Sequence, residues 1–368
     1  MRWQAEIERL RHSHRHRALA LPRGIDFSSN DYLGLARHPA LREALIAALE
    51  RDGMVGAGGS RLLRGHHEEH ASLEAFAAEF FAAEKALYFG SGFLANFALF
   101  TTLADRHDAV VLDERIHASV KEGVHASPAQ RYRARHNDLE SYAAELKRAR
   151  ERGARQIFVA VESVYSMDGD LAPLTELSEL ARRFDAVLVI DEAHATGVFG
   201  ARGRGLAENT PGAITLHTCG KALGVAGALV CASAETVDYL VNRARPFIYS
   251  TAPPPCLAAA VTRALQLVDE EAWRRERVLE LAQLAHVELN PDTPFAGSQI
   301  IPVILGADEA ALSVARRVQE AGFDVRAIRP PTVPEGTARL RVSINATHSE
   351  DQIRTLGAAI HAARKWNR

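Results

Sequence analysis

The chain has 368 residues, 47% of them apolar, and a formal net charge of −2. That apolar share suffices for a large core spread over two domains, and the balanced charge gives no electrostatic case for nucleic acid or an anionic membrane. No apolar run approaches membrane-spanning length, and Glu6 and Glu8 interrupt the N-terminus where a signal peptide needs an apolar stretch.

Taken in order, Trp3, Ile7 and Leu10 recur at helical spacing and predict a helix over residues 1–20. The basic run Arg11 to Arg17 reads chiefly as a solvated helix face, with one arginine available to an anionic substrate group. A metal site there lacks acidic or cysteine partners. Phe27 to Leu35 is a polar, turn-prone piece between apolar anchors, and helix signals follow from Pro39 to Arg51. Gly53 to Arg61 is dense in glycine, which marks backbone that must approach something closely. It lacks the G-x-G-x-x-G register of a dinucleotide fold. His66 to Ala83 is helical through Leu73, Phe76, Phe80 and Phe81. Ala86 to Phe89 is a short strand, and Gly90-Ser91-Gly92-Phe93 turns into a helix that runs to about Leu103. Such a turn is either a plain tight turn or an anion site at a helix N-terminus.

Val110 to Leu112 is a strand ending near Asp113, with His117 on a following loop or short helix. Ile157 to Val161 is a strand leading into the polar loop Glu162 to Asp170, and Pro173 opens a helix to about Phe184. The run Ala186 to Ile190 is uninterrupted apolar and β-branched, as in a parallel sheet covered on both faces. Asp191 then sits at the carboxyl end of that strand, where open α/β sheets place ligands. A second apolar run, Ala213 to His217, ends just before Thr218 and Lys221. A lysine leaving a sheet core is costly unless it is neutralised, paired or used covalently. Covalent use fits best. Pyridoxal phosphate needs a lysine for its attachment and a carboxylate that keeps its ring nitrogen protonated, so that the ring accepts electrons from a carbanion. His194, three residues past Asp191, is placed to reach the same ring. The competing reading of Asp191-Glu192-Ala193-His194 as a helicase box needs a P-loop. Lys221 does follow Gly220, but Ala222 stands where Ser or Thr is required and no glycine stands five residues before Gly220.

The three cysteines, Cys219, Cys231 and Cys256, lack metal spacing and read as reduced thiols of a cytosolic protein. Cys219 reads as a small buried filler rather than a nucleophile. Gly227 to Cys231 is one more strand. Tyr249 to Pro255 breaks the chain before a helix through about Val268, and a second helical stretch runs to about Leu289. After Pro294 come strand Gln299 to Leu305, helix Glu309 to Ala321, strand Asp324 to Ile328, the proline-rich Arg329 to Pro334, strand Arg339 to Ile344 and a final helix, which together make a small α+β domain. Arg339 and Arg341 share a face by the period of two. An arginine there either clamps a carboxylate through two parallel hydrogen bonds or lies in a surface ladder with Glu335 or Glu350.

Four stretches carry a resemblance: FSSNDYLGL (Phe27 to Leu35), SMDGD (Ser166 to Asp170), DEAHATGVFG (Asp191 to Gly200) and RPPTVPEGTARLR (Arg329 to Arg341). Together they resemble the α-oxoamine synthase family of pyridoxal-phosphate enzymes, from Phe27 to about the C-terminus, and the last is most similar to the member that serves biotin biosynthesis. The resemblance implies the α/β transferase architecture called fold type I. An N-terminal segment (1–35) would precede a large cofactor-binding domain with a mostly parallel seven-stranded sheet (36–290), and a small α+β domain (291–368) would close the chain. It implies a cytoplasmic homodimer with active sites at the subunit interface. Lys221, Asp191, His117 and His194 would be catalytic. Lys221 would hold pyridoxal 5'-phosphate, Asp191 would pair with its ring nitrogen, His194 and Ser166 would approach its phenolic oxygen, and His117 would stack on the ring. Gly92 and Phe93 would add backbone contacts, Thr218 would bind the phosphate, and Thr251 would reach the phosphate from the partner subunit. Asn30, Thr332 and Arg341 would serve substrate together with His117. Arg17 resembles an N-terminal substrate-contacting arginine, with Arg15 its rival.

Two departures stand out: the family usually has an aromatic or aliphatic residue at Cys219, and the segment between Arg17 and Phe27 is shorter than usual. The implied reaction joins L-alanine to a pimeloyl thioester, carried on coenzyme A or a carrier protein, with loss of CO2 and the thiol. Lys221 would remove the α-proton. Two alternatives remain. A sister enzyme uses glycine and acetyl-CoA, and one methyl group separates the two amino acids by only about 1–3 kcal/mol. A silent regulator on the same fold would show a lost lysine or an added DNA-binding domain.

Overall fold

The computed structural model describes residues 2–366. The chain falls into two compact units. The larger is Leu33–Ser166 with Leu171–Arg275; the smaller takes both ends of the chain, up to Tyr32 and from Glu276 onward, together with Met167–Asp170. In chain order the described strands are β1 (Ile25–Asp26), β2 (Lys85–Phe89), β3 (Ala109–Asp113), β4 (Gln130–Ala134), β5 (Ile157–Glu162), β6 (Ala186–Asp191), β7 (Ile214–Thr218), β8 (Ala228–Ala232), β9 (Ile300–Gly306), β10 (Phe323–Asp324), β11 (Arg326–Ile328) and β12 (Ala338–Ser343).

The larger unit is built on a seven-stranded sheet in the order β2-β8-β7-β6-β5-β3-β4. Only β8 runs against its neighbours; the other adjacent pairs are parallel. This is the fold-type I sheet. Alternation along β5 explains why it is buried twice over. Phe158 and Ala160 pack into one apolar cluster with Leu99, Phe100, Val120 and Leu216, while Ile157, Val159 and Val161 pack into another with Tyr142, Leu146, Leu177 and Leu180. Helices Gly92–Leu103 and Ala118–Ala126 cover the first face, and helices Leu139–Glu151 and Leu174–Arg183 cover the second. Burial on both faces is what a continuous apolar strand is for. The parallel register sets Glu162 beside Asp191 at the carboxyl edge.

One close approach matters to the site. A Cβ on Gly123 would lie 3.1 Å from both the Asn96 carbonyl oxygen and the Phe97 Cα. Glycine therefore lets helix Ala118–Ala126 come close against helix Gly92–Leu103.

The smaller unit carries the antiparallel sheet β11-β12-β9 and the parallel pair β1-β10. Its Met167–Asp170 piece turns at Gly169, whose φ of +73° and would-be Cβ, 2.3 Å from the Ile300 carbonyl oxygen, admit only glycine.

The structure departs from the sequence pattern in four places. The helix expected over residues 1–20 ends at His12. Beyond it His14 turns with a φ of 56°, and the chain is tied down by Arg15 to Asp308 and Glu335 and by Arg17 to Thr332. The strand expected over Asp324–Ile328 is two strands, because its halves pair with different partners, β1 and β12. Strand β4 and helices Leu139–Glu151 and Ala234–Arg243 are hidden in the sequence: their outward arginines and glutamates mask the few buried positions, such as Tyr132, Ala134, Tyr142 and Leu146. Arg339 and Arg341 are buried, 3% and 7% exposed, and form no surface ladder with Glu335 or Glu350. Among the described residues no helix is long and apolar enough to cross a membrane.

Candidate active site

Strand β6 ends in Asp191, whose carboxylate is buried and held at both oxygens. Oδ1 accepts the Ala193 amide at 3.0 Å, and Oδ2 accepts the Asn96 side-chain amide at 2.7 Å. The chain then turns at once through His194. Strand β7, next to β6, leads through Thr218 into a tight turn closed by Cys219 N–H to Gly227 O at 2.9 Å and Gly224 N–H to Lys221 O at 2.8 Å. That turn delivers Lys221, and its Nζ lies 2.8 Å from His194 Nε2. Two neighbouring strands thus present the amine, the imidazole and the carboxylate that the sequence pattern singles out.

His117 caps helix Ala118–Ala126: its Nδ1 accepts the Ser119 amide at 3.2 Å and lies 2.7 Å from the Ser119 hydroxyl. Desolvation by the protein packed around it, the largest influence, holds the His117 ring below its usual pKa, although the residue keeps an exposed face. The Asp191 charge works against this, and the Lys221 and Lys121 charges add to it. The ring is therefore neutral near pH 7.

At the end of β5, Glu162 is buried. Its Oε2 accepts the Ser166 amide at 3.1 Å, which places Ser166 at this edge. Burial, with the Asp191 charge next, pushes Glu162 up to about 8, so it carries its proton near neutrality. Glu192 is also buried and raised, to about 7, again by burial first. It anchors the glycine-rich loop by accepting the Leu206 amide at 3.0 Å and the Ser163 hydroxyl at 2.8 Å.

Ser91 caps helix Gly92–Leu103 by accepting the Leu94 amide at 3.2 Å. Helix geometry leaves the first amides, those of Gly92 and Phe93, without an intrahelical acceptor. A Cβ on Gly92 would stand 3.5 Å from Thr218 Oγ1, so a helix N-terminus and a hydroxyl share one small space. This is a place for an anion such as a phosphate. A place for a phosphate, and a lysine and a buried carboxylate at the ends of adjacent strands, with the imidazole of His194 against the lysine, fit pyridoxal phosphate. Thr251 is exposed and forms an antiparallel bridge with Ser60. Cys219 is fully buried, and burial pushes its thiol up, which suits a filler and not a nucleophile.

In the smaller unit the expected substrate residues come together in pairs. Arg341 donates to Asn30 Oδ1 at 3.0 Å, to Ser343 Oγ at 2.7 Å and to the Tyr32 hydroxyl at 3.2 Å. Arg17 donates to Thr332 Oγ1 at 3.0 Å. Their rivals are committed elsewhere: Arg15 to Asp308 and Glu335, and Arg339 to Asp168 and the Thr337 carbonyl. Asn96, Ser119 and Glu192 were not legible as site residues. For Asn96 the one available signal is an amide alone between Ala95, Phe97 and Ala98 on an apolar helix.

Comparison with known proteins agrees with this geometry. The class I and II aminotransferase family matches residues 22–360. The 8-amino-7-oxononanoate synthase of Geobacter sulfurreducens is 46% identical over 341 residues, covering 90% of this chain and 86% of that protein. That of Chromobacterium violaceum is 46% identical over 340 residues, covering 90% and 87%. Among solved structures, serine palmitoyltransferase from S. paucimobilis, with pyridoxal phosphate and myriocin bound, superimposes with a TM-score of 0.91 at 29% identity over 99% of this chain and 97% of that one. The 8-amino-7-oxononanoate synthase of Francisella tularensis gives 0.80 at 28% identity, over 94% and 98%. The chain belongs to the class I and II aminotransferases and, within them, to the 8-amino-7-oxononanoate synthase family.

Proposed function

We propose that the chain is a pyridoxal 5'-phosphate-dependent acyltransferase of biotin biosynthesis. It joins L-alanine to a pimeloyl thioester and gives 8-amino-7-oxononanoate, CO2 and the free thiol. The observation that carries this is the set at the ends of the neighbouring strands β6 and β7, with Lys221 Nζ 2.8 Å from His194 Nε2 and the Asp191 carboxylate buried at the end of β6, in a chain 46% identical to enzymes of that name.

When bound, the cofactor supplies an electron sink for the alanine α-carbon. The residues do the rest. Lys221 attaches the cofactor and later takes the α-proton on Nζ. Asp191 would pair with the protonated ring nitrogen, and His194 and Ser166 would serve the phenolic oxygen. Gly92, Phe93 and Thr218 would receive the phosphate. His117 would stack on the ring and donate a hydrogen bond to the acyl carbonyl. One bond forms, between the alanine α-carbon and the acyl carbon, and two break: the acyl carbon–sulfur bond, whose thiolate leaves and takes a proton from solvent, and the bond to the alanine carboxylate, which leaves as CO2, after which the proton held on Lys221 Nζ would return to the α-carbon. Arg341, with Asn30, receives that carboxylate. Arg17 and Thr332 serve the distal, acidic end of the pimeloyl chain; Arg15, held in two ion pairs, does not. The working unit is a homodimer in which Thr251, exposed here, reaches the partner's phosphate. The compartment is the cytoplasm, which suits three buried free cysteines.

A coupled assay crosses alanine and glycine with pimeloyl and acetyl thioesters. Alanine with the pimeloyl thioester is expected to give the highest kcat/KM. Glycine with acetyl-CoA in first place overturns the assignment.

A further inference from the structure

The site holds two residues that none of the roles above uses: Asn96, 2% exposed, and Ser119, 1% exposed. They lie on different helices, and their contacts form one chain. Asn96 Nδ2 stands 2.7 Å from Asp191 Oδ2 and 3.0 Å from Ser119 Oγ, and Ser119 Oγ stands 2.7 Å from His117 Nδ1.

The proton directions along this chain are determined. An amide nitrogen only donates, so both N–H groups of Asn96 are spent, one on Asp191 and one on Ser119. Ser119 Oγ is thus an acceptor toward Asn96, and its own proton is left for His117 Nδ1. A second donor points at the same atom: the Ser119 backbone N–H, 3.2 Å from Nδ1. A backbone N–H cannot accept, so Nδ1 carries no proton. A neutral His117 then holds its proton on Nε2.

We infer that Asn96 and Ser119 are positioning residues that form a relay from Asp191 to His117, fixing the Asp191 carboxylate in its plane and locking His117 as the Nε2–H tautomer. The consequence is chemical. His117 faces cofactor and substrate as a hydrogen-bond donor and is not the base that takes the α-proton, which leaves that proton to Lys221. Asp191 and His117 are set together, because Asn96 holds the first directly and the second through Ser119. The inference rests on the cofactor reading of this site. The lowered pKa of His117, caused first by desolvation from the protein packed around it, agrees with a ring that stays neutral while the relay orients it. The relay exists because Gly123 lets the two helices come close enough for Asn96 and Ser119 to meet.

The test is a double-mutant cycle on the full chain, read by the affinity of the apoprotein for pyridoxal phosphate and by the visible circular dichroism of the bound cofactor. Asn96→Ala is expected to weaken cofactor binding about tenfold, the worth of one charge-assisted hydrogen bond, and to diminish the visible dichroism. Ser119→Ala is expected to weaken it about threefold, with a smaller spectral change. Members of one relay are not additive, so the double variant should lose about tenfold rather than about thirtyfold. Multiplicative losses, or unchanged affinity and dichroism in both single variants, overturn the relay. If Asn96→Ala does not fold, the cycle between Ser119→Ala and His117→Asn asks the same question with the same two outcomes. Histidine-labelled nitrogen spectra read the tautomer directly. The signal lost in His117→Asn should show Nε2 protonated; protonated Nδ1 overturns the assignment. Lys221→Ala, run alongside, separates a failed relay from a failed cofactor reading. An unchanged cofactor absorption in that variant means the site itself has been misread.

Discussion

At the scale of single residues, the site works by pairs whose members have unlike tasks. Asp191 accepts an N–H donor at each of its two oxygens, so an asparagine there, with a single acceptor oxygen, gives up one of these bonds as well as the charge. Asp191→Asn keeps the shape and a hydrogen-bonding side chain but removes the charge that keeps the ring nitrogen protonated. Exchange of the alanine α-proton with solvent should collapse in this variant, by far more than the loss of one buried hydrogen bond, about 1–3 kcal/mol, lowers its stability. Near-normal exchange would refute the electron-sink role of the pair. The two arginines of β12 separate in the same way. Arg341 is gathered with Asn30 and Tyr32, whereas Arg339 is committed to Asp168. Arg341→Ala should weaken alanine binding by about tenfold to a hundredfold, the loss of a charge-assisted pair. Arg341→Lys should fall between that variant and wild type, because the charge stays and the fork geometry goes. Arg339→Ala should instead destabilise the fold by about 2–3 kcal/mol, below the range for a fully buried pair because Asp168 stays partly exposed. A spectral titration with alanine, set beside denaturant unfolding, distinguishes the two. A larger binding loss in Arg339→Ala would exchange their roles.

At the scale of elements, helix ends and helix contacts place the groups that strands alone do not reach. Ser91 caps helix Gly92–Leu103 and leaves Gly92 and Phe93 at its open end; His117 caps helix Ala118–Ala126 with the ring nitrogen that the relay needs. The contact between the two helices is tight at Gly123, where an added methyl meets backbone 3.1 Å away on Asn96 and Phe97. Gly123→Ala should cost about 1–3 kcal/mol of stability, the usual range for overpacking, and should weaken cofactor binding as well, because the methyl moves Asn96 and Ser119 apart. Gly153→Ala is a poor control, since Gly153 has a φ of +81°. Gly56→Ala has open space and no such φ, and serves better. A Gly123→Ala protein with unchanged melting and unchanged cofactor affinity would remove the helix contact from the account of the site.

At the scale of the whole molecule, burial of ionisable groups couples stability to pH. His217 lies in the sheet, fully buried, its ring stacked 3.6 Å from Phe81 and bonded to the hydroxyls of Thr196 and Thr215, each at 2.9 Å. Burial lowers its pKa from 6.5 to about 3. A histidine depressed in the fold takes its proton first in the unfolded chain. Its contribution is whole above about pH 6.5 and is lost as pH falls toward 3. Melting temperature should therefore drop between pH 6.5 and 4, and the slope should be smaller in His217→Gln, which will melt lower at pH 7 because the ring contact is gone. Parallel slopes would show that His217 does not carry the acid sensitivity.

Much of the site was written in local pattern. The β-branched run before Asp191 reads as a strand buried on both faces, and the apolar run before Thr218 as a second core strand, and strands of such a sheet end where ligands bind. Asp191 and Lys221 were read as candidates from those two runs, while the Gly90–Phe93 turn, read from its own glycines before a helix, stayed open between a plain tight turn and an anion site. What tertiary structure decided was everything that depends on which surfaces meet. Arg339 and Arg341 are equivalent by the period of two, and only Asp168 and Asn30, remote in sequence, tell them apart. Arg15 and Arg17 look alike in a basic run, and only the acids at 308 and 335 separate them. Asn96 and Ser119 have no shared pattern at all. Their pairing depends on two helices meeting closely at a glycine, and a distance of that kind is set by packing, for which no spacing along a chain is a code.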